Sequence, residues 1–299
     1  MDKKILQRYL EKPVIEDLPK KMVFISGPRQ SGKTTFGRSL LPSFPSTLNV
    51  SYFNWDYGVD RAKILEEQFP AGTGLLILDE IHKYGRWRQV VKGLFDKRND
   101  ELKILVTGSG RLDYYSYGGD SLQGRYHMYR LHPLSIAELK GDAQQNLEKL
   151  MQYSGFPEPF LEGSERTLRR WSREYQKRII DEDLNSLENV KDLSIIALLA
   201  SRLPTHCGSP LSINSLSNTL QVSHNSVQRW LKMLENLYFI FRLYPFGAPI
   251  VKAVKKEAKH YHFDWTLIAE DGIRFENLAA CHILKWVHFQ QDYEGFNYE

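Results

Sequence analysis

Short apolar runs alternate with amphipathic stretches through the first half of the chain. MVFIS (22–26), NVSYF (49–53), GLLILDE (74–80) and KILVTGS (103–109) are mostly apolar. Runs of this kind suit strands of a parallel sheet buried on both faces. Segments between them, such as WRQVVKGLFDKR (87–98), repeat their apolar positions at helical spacing. The alternation predicts an α/β fold over residues 1–141, a parallel sheet with helices on both faces. Its first 20 residues read as a short helix on Ile5, Leu6, Tyr9 and Leu10, then a linker with Pro13 and Pro19.

After Pro133 the pattern changes. Residues 142–205 read as a helical lid or linker without a clear strand. Within it, Leu168, Trp171 and Tyr175 form an inward stripe in the basic stretch ERTLRRWSREYQKR (165–178), with arginines on the wet face. Residues 206–250 read as a winged helix-turn-helix. Leu211, Ile213, Leu216 and Leu220 space a first helix. QVS makes the turn with Val222 buried and Ser223 as N-cap. Val227, Trp230, Leu231 and Leu234 form the inner face of the second helix, and YFIFRLYPF reads as a wing strand. The stretch 251–299 reads as an incomplete C-terminal α/β domain with one helix near 272–289.

Composition narrows the classes modestly. The 299 residues are 42% hydrophobic and carry a formal charge of +4, which permits an acidic partner without requiring one. Cys207 and Cys281 lack metal-ligand spacing and read as inert thiols in a reducing compartment. The charged start MDKKILQRYLEK is unlike a signal peptide, and no run is long enough to span a membrane. A cytoplasmic protein without a membrane partner is expected.

The chemistry concentrates at GPRQSGKTT. Gly27, Gly32, Lys33 and Thr34 fit G-x-x-x-x-G-K-[ST], after an apolar strand and before a helix. Glycines let the backbone aim several N–H groups at phosphate oxygens. A lysine reaches the terminal phosphates and the threonine hydroxyl suits Mg²⁺. The expected nucleotide contacts are Gly27, Pro28, Arg29, Gln30, Ser31, Gly32, Lys33, Thr34 and Thr35. At the end of the run LLILDE, Asp79 is positioned to hold Mg²⁺ with Thr34, and Glu80 to take a proton from an attacking water. No NKxD string for guanine is present, so ATP is expected. Thr107 and Ser109 end the next strand, and Ser109 is preferred for orienting the water. Arg111, Arg125 and Arg130 are candidates to offset charge on the transferred phosphoryl group, with Arg125, from this or a neighbouring chain, preferred.

These residues resemble prokaryotic AAA-type ATPases that join a P-loop domain to a winged helix and a C-terminal domain of unknown function. The resemblance rests on RYL (8–10), MVFISGPRQSGKTT, LLILDEIHK, ILVTGS, SLQGRYHMYRLHPLSIAEL, SGFPEPFL and FENLAACHILKWVHF, in family order. It implies a five-stranded ASCE-type sheet, with Lys33, Thr34, Asp79 and Glu80 in the roles above. It also implies a restriction-nuclease-like C-terminal domain that is truncated here. Glu276 matches that domain's first helix and reads as a structural remnant rather than a metal ligand.

Three functions fit. The first is an ATP hydrolase using Mg²⁺ and driving the winged helix in a DNA-linked task. The second is a slow nucleotide switch whose winged helix contacts protein. The third is a nucleotide-responsive DNA-binding regulator. For DNA, His224, Asn225, Ser226, Gln228 and Arg229 would face outward, and the basic stretches 165–178 and 252–259 would meet phosphates.

Overall fold

The computed structural model describes residues 6–40, 44, 49–70, 72–98, 101–109, 112, 122–184, 192–245 and 258–298. Arg111 and most of the basic stretch 252–259 lie outside them. Contacts along the chain group it into two units, where the sequence divides into four segments. The first comprises Met1–Gly27, Ser31–His132 and His288–Phe296, and the second Pro28–Gln30, Pro133–Val287 and Asn297–Glu299.

The first unit is built on a five-stranded parallel sheet. Its strands are β1 (Met22–Ser26), β2 (Asn49–Asn54), β3 (Thr73–Asp79), β4 (Lys103–Thr107) and β5 (Tyr126–Arg130), in the order β2-β3-β4-β1-β5. Successive side chains of a strand point to opposite faces. Phe24, Leu76, Leu78, Ile104 and Val106 therefore enter one core, packed against Ile64 of α3 (Gly58–Leu65) and Trp87, Val91 and Leu94 of α4 (Trp87–Arg98). Val23, Ile25, Leu75, Ile77 and Leu105 enter the other, against Leu10, Val14 of α1 (Glu11–Asp17) and Phe36 of α2 (Lys33–Ser39). This two-faced burial is why the central strands are continuous apolar runs.

Two elements differ from expectation. Helix α1 begins later than predicted and takes Pro13 into its first turn. A proline is tolerated there because that N–H has no intrahelical partner. Strand β5, YHMYR, has only Tyr129 fully buried and lies at the sheet edge beside β1.

The second unit is mainly helical. It contains α5 (Ala143–Tyr153), α6 (Pro157–Glu162), α7 (Glu165–Arg178), α8 (Leu193–Arg202), α9 (Ile213–Leu220), α10 (His224–Asn236) and most of α11 (Asp271–Phe289). Trp171 and Tyr175 of α7 stack, with ring centroids 4.9 Å apart, and Phe156 packs on both. Ser212 and Ser223 accept hydrogen bonds from the first turns of α9 and α10. After α10 a two-stranded antiparallel sheet forms from β6 (Ile240–Leu243) and β7 (Lys259–His262). Glu276 accepts hydrogen bonds from Tyr261 at 2.7 Å and Lys259 at 3.3 Å. Among the described residues no helix is long and apolar enough to cross a membrane.

Candidate nucleotide site

Strand register gathers the site at one edge of the sheet. Asp79 lies opposite Asn54 on β2 and Thr107 on β4, while Ile25 pairs with Thr107 and Ser26 with Arg130. Every parallel strand ends at this edge, so residues distant in sequence converge where β1 runs into the glycine loop.

The loop has the backbone its sequence requires. Gly27 has φ +146° and Gly32 φ +92°. A Cβ on Gly27 would lie 2.4 Å from the Leu131 carbonyl oxygen. Gln30 also has positive φ, at 62°. Lys33 is buried, and its ammonium donates to the Gly27 carbonyl at 3.1 Å, lying back over the loop. Arg8 supports the loop with hydrogen bonds to the carbonyls of Ser31 at 2.9 Å and His132 at 2.6 Å. Tyr9 donates to the Arg130 carbonyl and accepts from the His132 N–H at 3.2 Å. The RYL tripeptide is therefore a brace for the loop and β5.

Asp79 is 2% exposed and accepts three hydroxyl hydrogen bonds. Thr34 and Tyr52 reach Oδ2, each at 2.7 Å, and Thr107 reaches Oδ1 at 2.5 Å. Burial and the Asp79 hydrogen bond push the Tyr52 hydroxyl up to about 12. Thr34 and Asp79 thus present a hydroxyl and a carboxylate side by side, an oxygen donor set that suits Mg²⁺. The buried Lys33 ammonium and the positive-φ glycines suit anionic phosphate oxygens. On these grounds the residues fit Mg²⁺ and a nucleotide.

Glu80 follows β3 at φ +57°, an αL conformation that costs a non-glycine residue on the order of 1 kcal/mol. Its N–H donates to the Thr107 carbonyl at 2.8 Å, which fixes the turn. The carboxylate accepts from the Ser109 N–H at 3.2 Å and the Ser109 hydroxyl at 3.1 Å. His82 lies 3.7 Å from it and Lys83 3.5 Å. Burial opposes the charged form. The positive fields of His82 when protonated, Lys33 and Lys83, with the Ser109 hydrogen bond, outweigh it and hold Glu80 below its ordinary range. Burial pushes His82 down, toward the neutral imidazole. Glu80 is therefore an ionised carboxylate at neutral pH, able to accept a proton.

The structure brings together Gly27, Ser31, Gly32, Lys33, Thr34, Asp79, Glu80 and Ser109, with Thr35 exposed on the first turn of α2. Pro28, Arg29 and Gln30 group with the second unit. There the Arg29 guanidinium pairs with Asp183 at 2.6 Å and Glu182 at 2.8 Å, so its side chain is engaged by carboxylates. Ser109 donates its hydroxyl to Glu80, which leaves the oxygen's lone pairs able to accept. Arg125 requires a correction. Its carbonyl accepts from the Met22 N–H, at the start of β1 and therefore the edge opposite the loop, and its side chain pairs with Asp96 at 2.7 Å. A role in its own chain's site is excluded by strand direction. Arg130 lies at the correct edge, but Asp292 holds it at 2.6 Å.

Tyr52, Arg8, His82 and Lys83 were not singled out as site residues. The motif RYL marked Arg8 as a family feature, and IHK after Asp79-Glu80 marked the next two. Tyr52 carried no local signal, since only the β2–β3 register brings it to Asp79. In the second unit, His224, Asn225, Gln228 and Arg229 are exposed on α10, and Ser226 is half-buried against Ser223.

Residues 19–140 match the family model described as an AAA domain, and residues 144–270 match a domain of unknown function. An uncharacterized protein of Mycobacterium tuberculosis is 24% identical over 249 residues, covering 83% of this chain and 55% of that protein. One from Haemophilus influenzae is 24% identical over 297 residues, covering 87% and 74%. The chain thus spans about half the length of the mycobacterial relative. A Walker-type ATPase of Pyrococcus abyssi shares the fold with a TM-score of 0.56 at 12% identity, covering 92% of this chain and 97% of that one. Together with the parallel sheet and the loop at its edge, these similarities support a P-loop ATPase domain of AAA type over residues 19–140.

Proposed function

We propose that the protein binds ATP with Mg²⁺ in the loop Gly27–Thr35 and hydrolyses it. The observation that carries the reading is the juxtaposition at one end of the sheet of the buried Lys33, the Thr34–Asp79 pair and the Glu80 carboxylate that Ser109 holds. Lys33 offsets phosphate charge. Thr34 and Asp79 hold Mg²⁺, which when bound polarises the phosphate oxygens. Glu80 accepts a proton as water forms a bond to the γ-phosphorus and the bond to the ADP oxygen breaks. Ser109 holds Glu80 for that task.

The decisive comparison is between two variants. Lys33→Ala is expected to lose nucleotide binding. Glu80→Gln keeps the size and the Ser109 contact but cannot take a proton, so binding persists and turnover falls by about 10²–10⁴-fold. Normal hydrolysis by Glu80→Gln would refute the assignment of the base.

A second reading concerns the partner. Helix α10 with the β6–β7 sheet has the order of a winged helix, and α10 exposes Asn225, Gln228 and Arg229. Amides and guanidinium groups on such a helix read base edges in a major groove. That surface supports the reading of a DNA-linked task. If it holds, duplex binding weakens steeply with salt, and Arg229→Ala costs about 1–3 kcal/mol and relaxes the preference for a specific over a scrambled duplex. A flat salt response would instead favour a protein partner and a slow switch.

A further inference from the structure

We propose that Tyr52 is a positioning residue that orients the Asp79 carboxylate toward the divalent cation, an inference that rests on the nucleotide reading above. Asp79 is gripped from both neighbouring strands. Thr107 on β4 holds Oδ1, while Tyr52 on β2 holds Oδ2, the same oxygen that faces Thr34. With a hydroxyl from one flanking strand on each oxygen, rotation of the carboxylate about its own axis would break at least one hydrogen bond. The plane presented to Thr34 is therefore set by the two strands flanking β3.

Tyr52 is suited to this by length and anchorage. It lies two residues before Asn54, the direct partner of Asp79, so its ring must extend along the sheet to bring the hydroxyl to the carboxylate. The Arg38 guanidinium lies 4.3 Å from the ring centroid and fixes the ring from the α2 side. Asn54 Nδ2 also approaches the hydroxyl, at 3.4 Å, and supplies a donor to the oxygen that donates to Asp79. The phosphate loop and the Asp79-Glu80 pair do not include a residue from β2, and this contact adds one. Outer partners that orient a ligating carboxylate typically govern metal affinity by about 10–100-fold.

The test uses Mn²⁺ as the probe, read by electron paramagnetic resonance on the protein–ADP complex. ADP affinity is measured separately in EDTA. Tyr52→Phe keeps the ring and its Arg38 contact, and Thr107→Val removes the opposing donor. For Tyr52→Phe, the expected result is ADP affinity in EDTA within twofold of the parent and Mn²⁺ affinity weakened about tenfold. Thr107→Val is expected to shift Mn²⁺ affinity in the same direction. Mn²⁺ affinity within twofold of the parent for Tyr52→Phe would overturn the role of Tyr52 while leaving the nucleotide site intact. Loss of ADP binding in EDTA together with Mn²⁺ binding would overturn it as well, because the residue would then hold up the loop. A parent complex that binds ADP but no Mn²⁺ would overturn both the inference and the reading beneath it.

Discussion

Replacing Gly27 with alanine tests the loop on steric grounds alone. The added Cβ would meet the Leu131 carbonyl oxygen at 2.4 Å and its carbon at 3.1 Å. The first distance is roughly 1 Å short of an ordinary contact. The atom it strikes is backbone and cannot turn away, and Leu131 is tied by its N–H to the Ser26 carbonyl at 2.8 Å. A φ of +146° adds strain of about 1–3 kcal/mol for any residue with a Cβ. A destabilisation of about 2 kcal/mol or more follows. For a unit of this size each kcal/mol moves Tm by about 2–4 °C, so a drop of at least about 4 °C is expected. Relief of the contact must move the Gly27 carbonyl, which holds the Lys33 ammonium at 3.1 Å. A displacement near 1 Å in a binding constellation costs on the order of 100-fold. Calorimetric unfolding and ADP titration measure both effects. An alanine variant with unchanged Tm and ADP affinity within threefold of the parent would refute the reasoning, because the loop would then not press on Leu131.

Two further outcomes are expected. Arg8→Ala removes charged hydrogen bonds to the Ser31 and His132 carbonyls, and should lower Tm by about 5–10 °C while weakening ADP binding; unchanged melting would discount the brace. Burial depresses His262 to about 3 and His260 to about 4, so the folded chain leaves both neutral while the unfolded chain protonates them below about pH 6.5. Stability should therefore fall as pH drops beneath that value, by about 3 kcal/mol between about pH 7.5 and 5.5, and urea midpoints independent of pH would contradict it.

The central sheet was legible because β1, β3 and β4 are buried on both faces and must be apolar throughout. β5 is not legible as a strand, because YHMYR at the sheet edge has no continuous apolar run. Without that strand and its direction, the sequence cannot assign Arg125, the residue before it, to either end of the sheet. Lys33, Thr34, Asp79 and Glu80 were legible because each lies in a contiguous motif whose chemistry demands those residue types. Tyr52 and Arg8 act across 27 and 23 positions or more, through register and a buried guanidinium, and no local spacing encodes such contacts. Helices α7, α9 and α10 were readable from their apolar stripes, and the start of α10 from its Ser223 cap. The engagement of Arg29 by Glu182 and Asp183 was not, since it depends on how distant segments meet.

The brace formed by Arg8 also bears on where this domain can be cut. The family match begins at residue 19 and the first strand at Met22, so either position looks like a natural start for an isolated ATPase fragment. A fragment begun there would keep the whole phosphate loop and the Asp79-Glu80 pair yet lack the guanidinium that ties Ser31 to His132. It would also expose the core face that Leu10, Val14 and Leu18 cover. Weak nucleotide binding by such a fragment would report a missing strut rather than a missing activity.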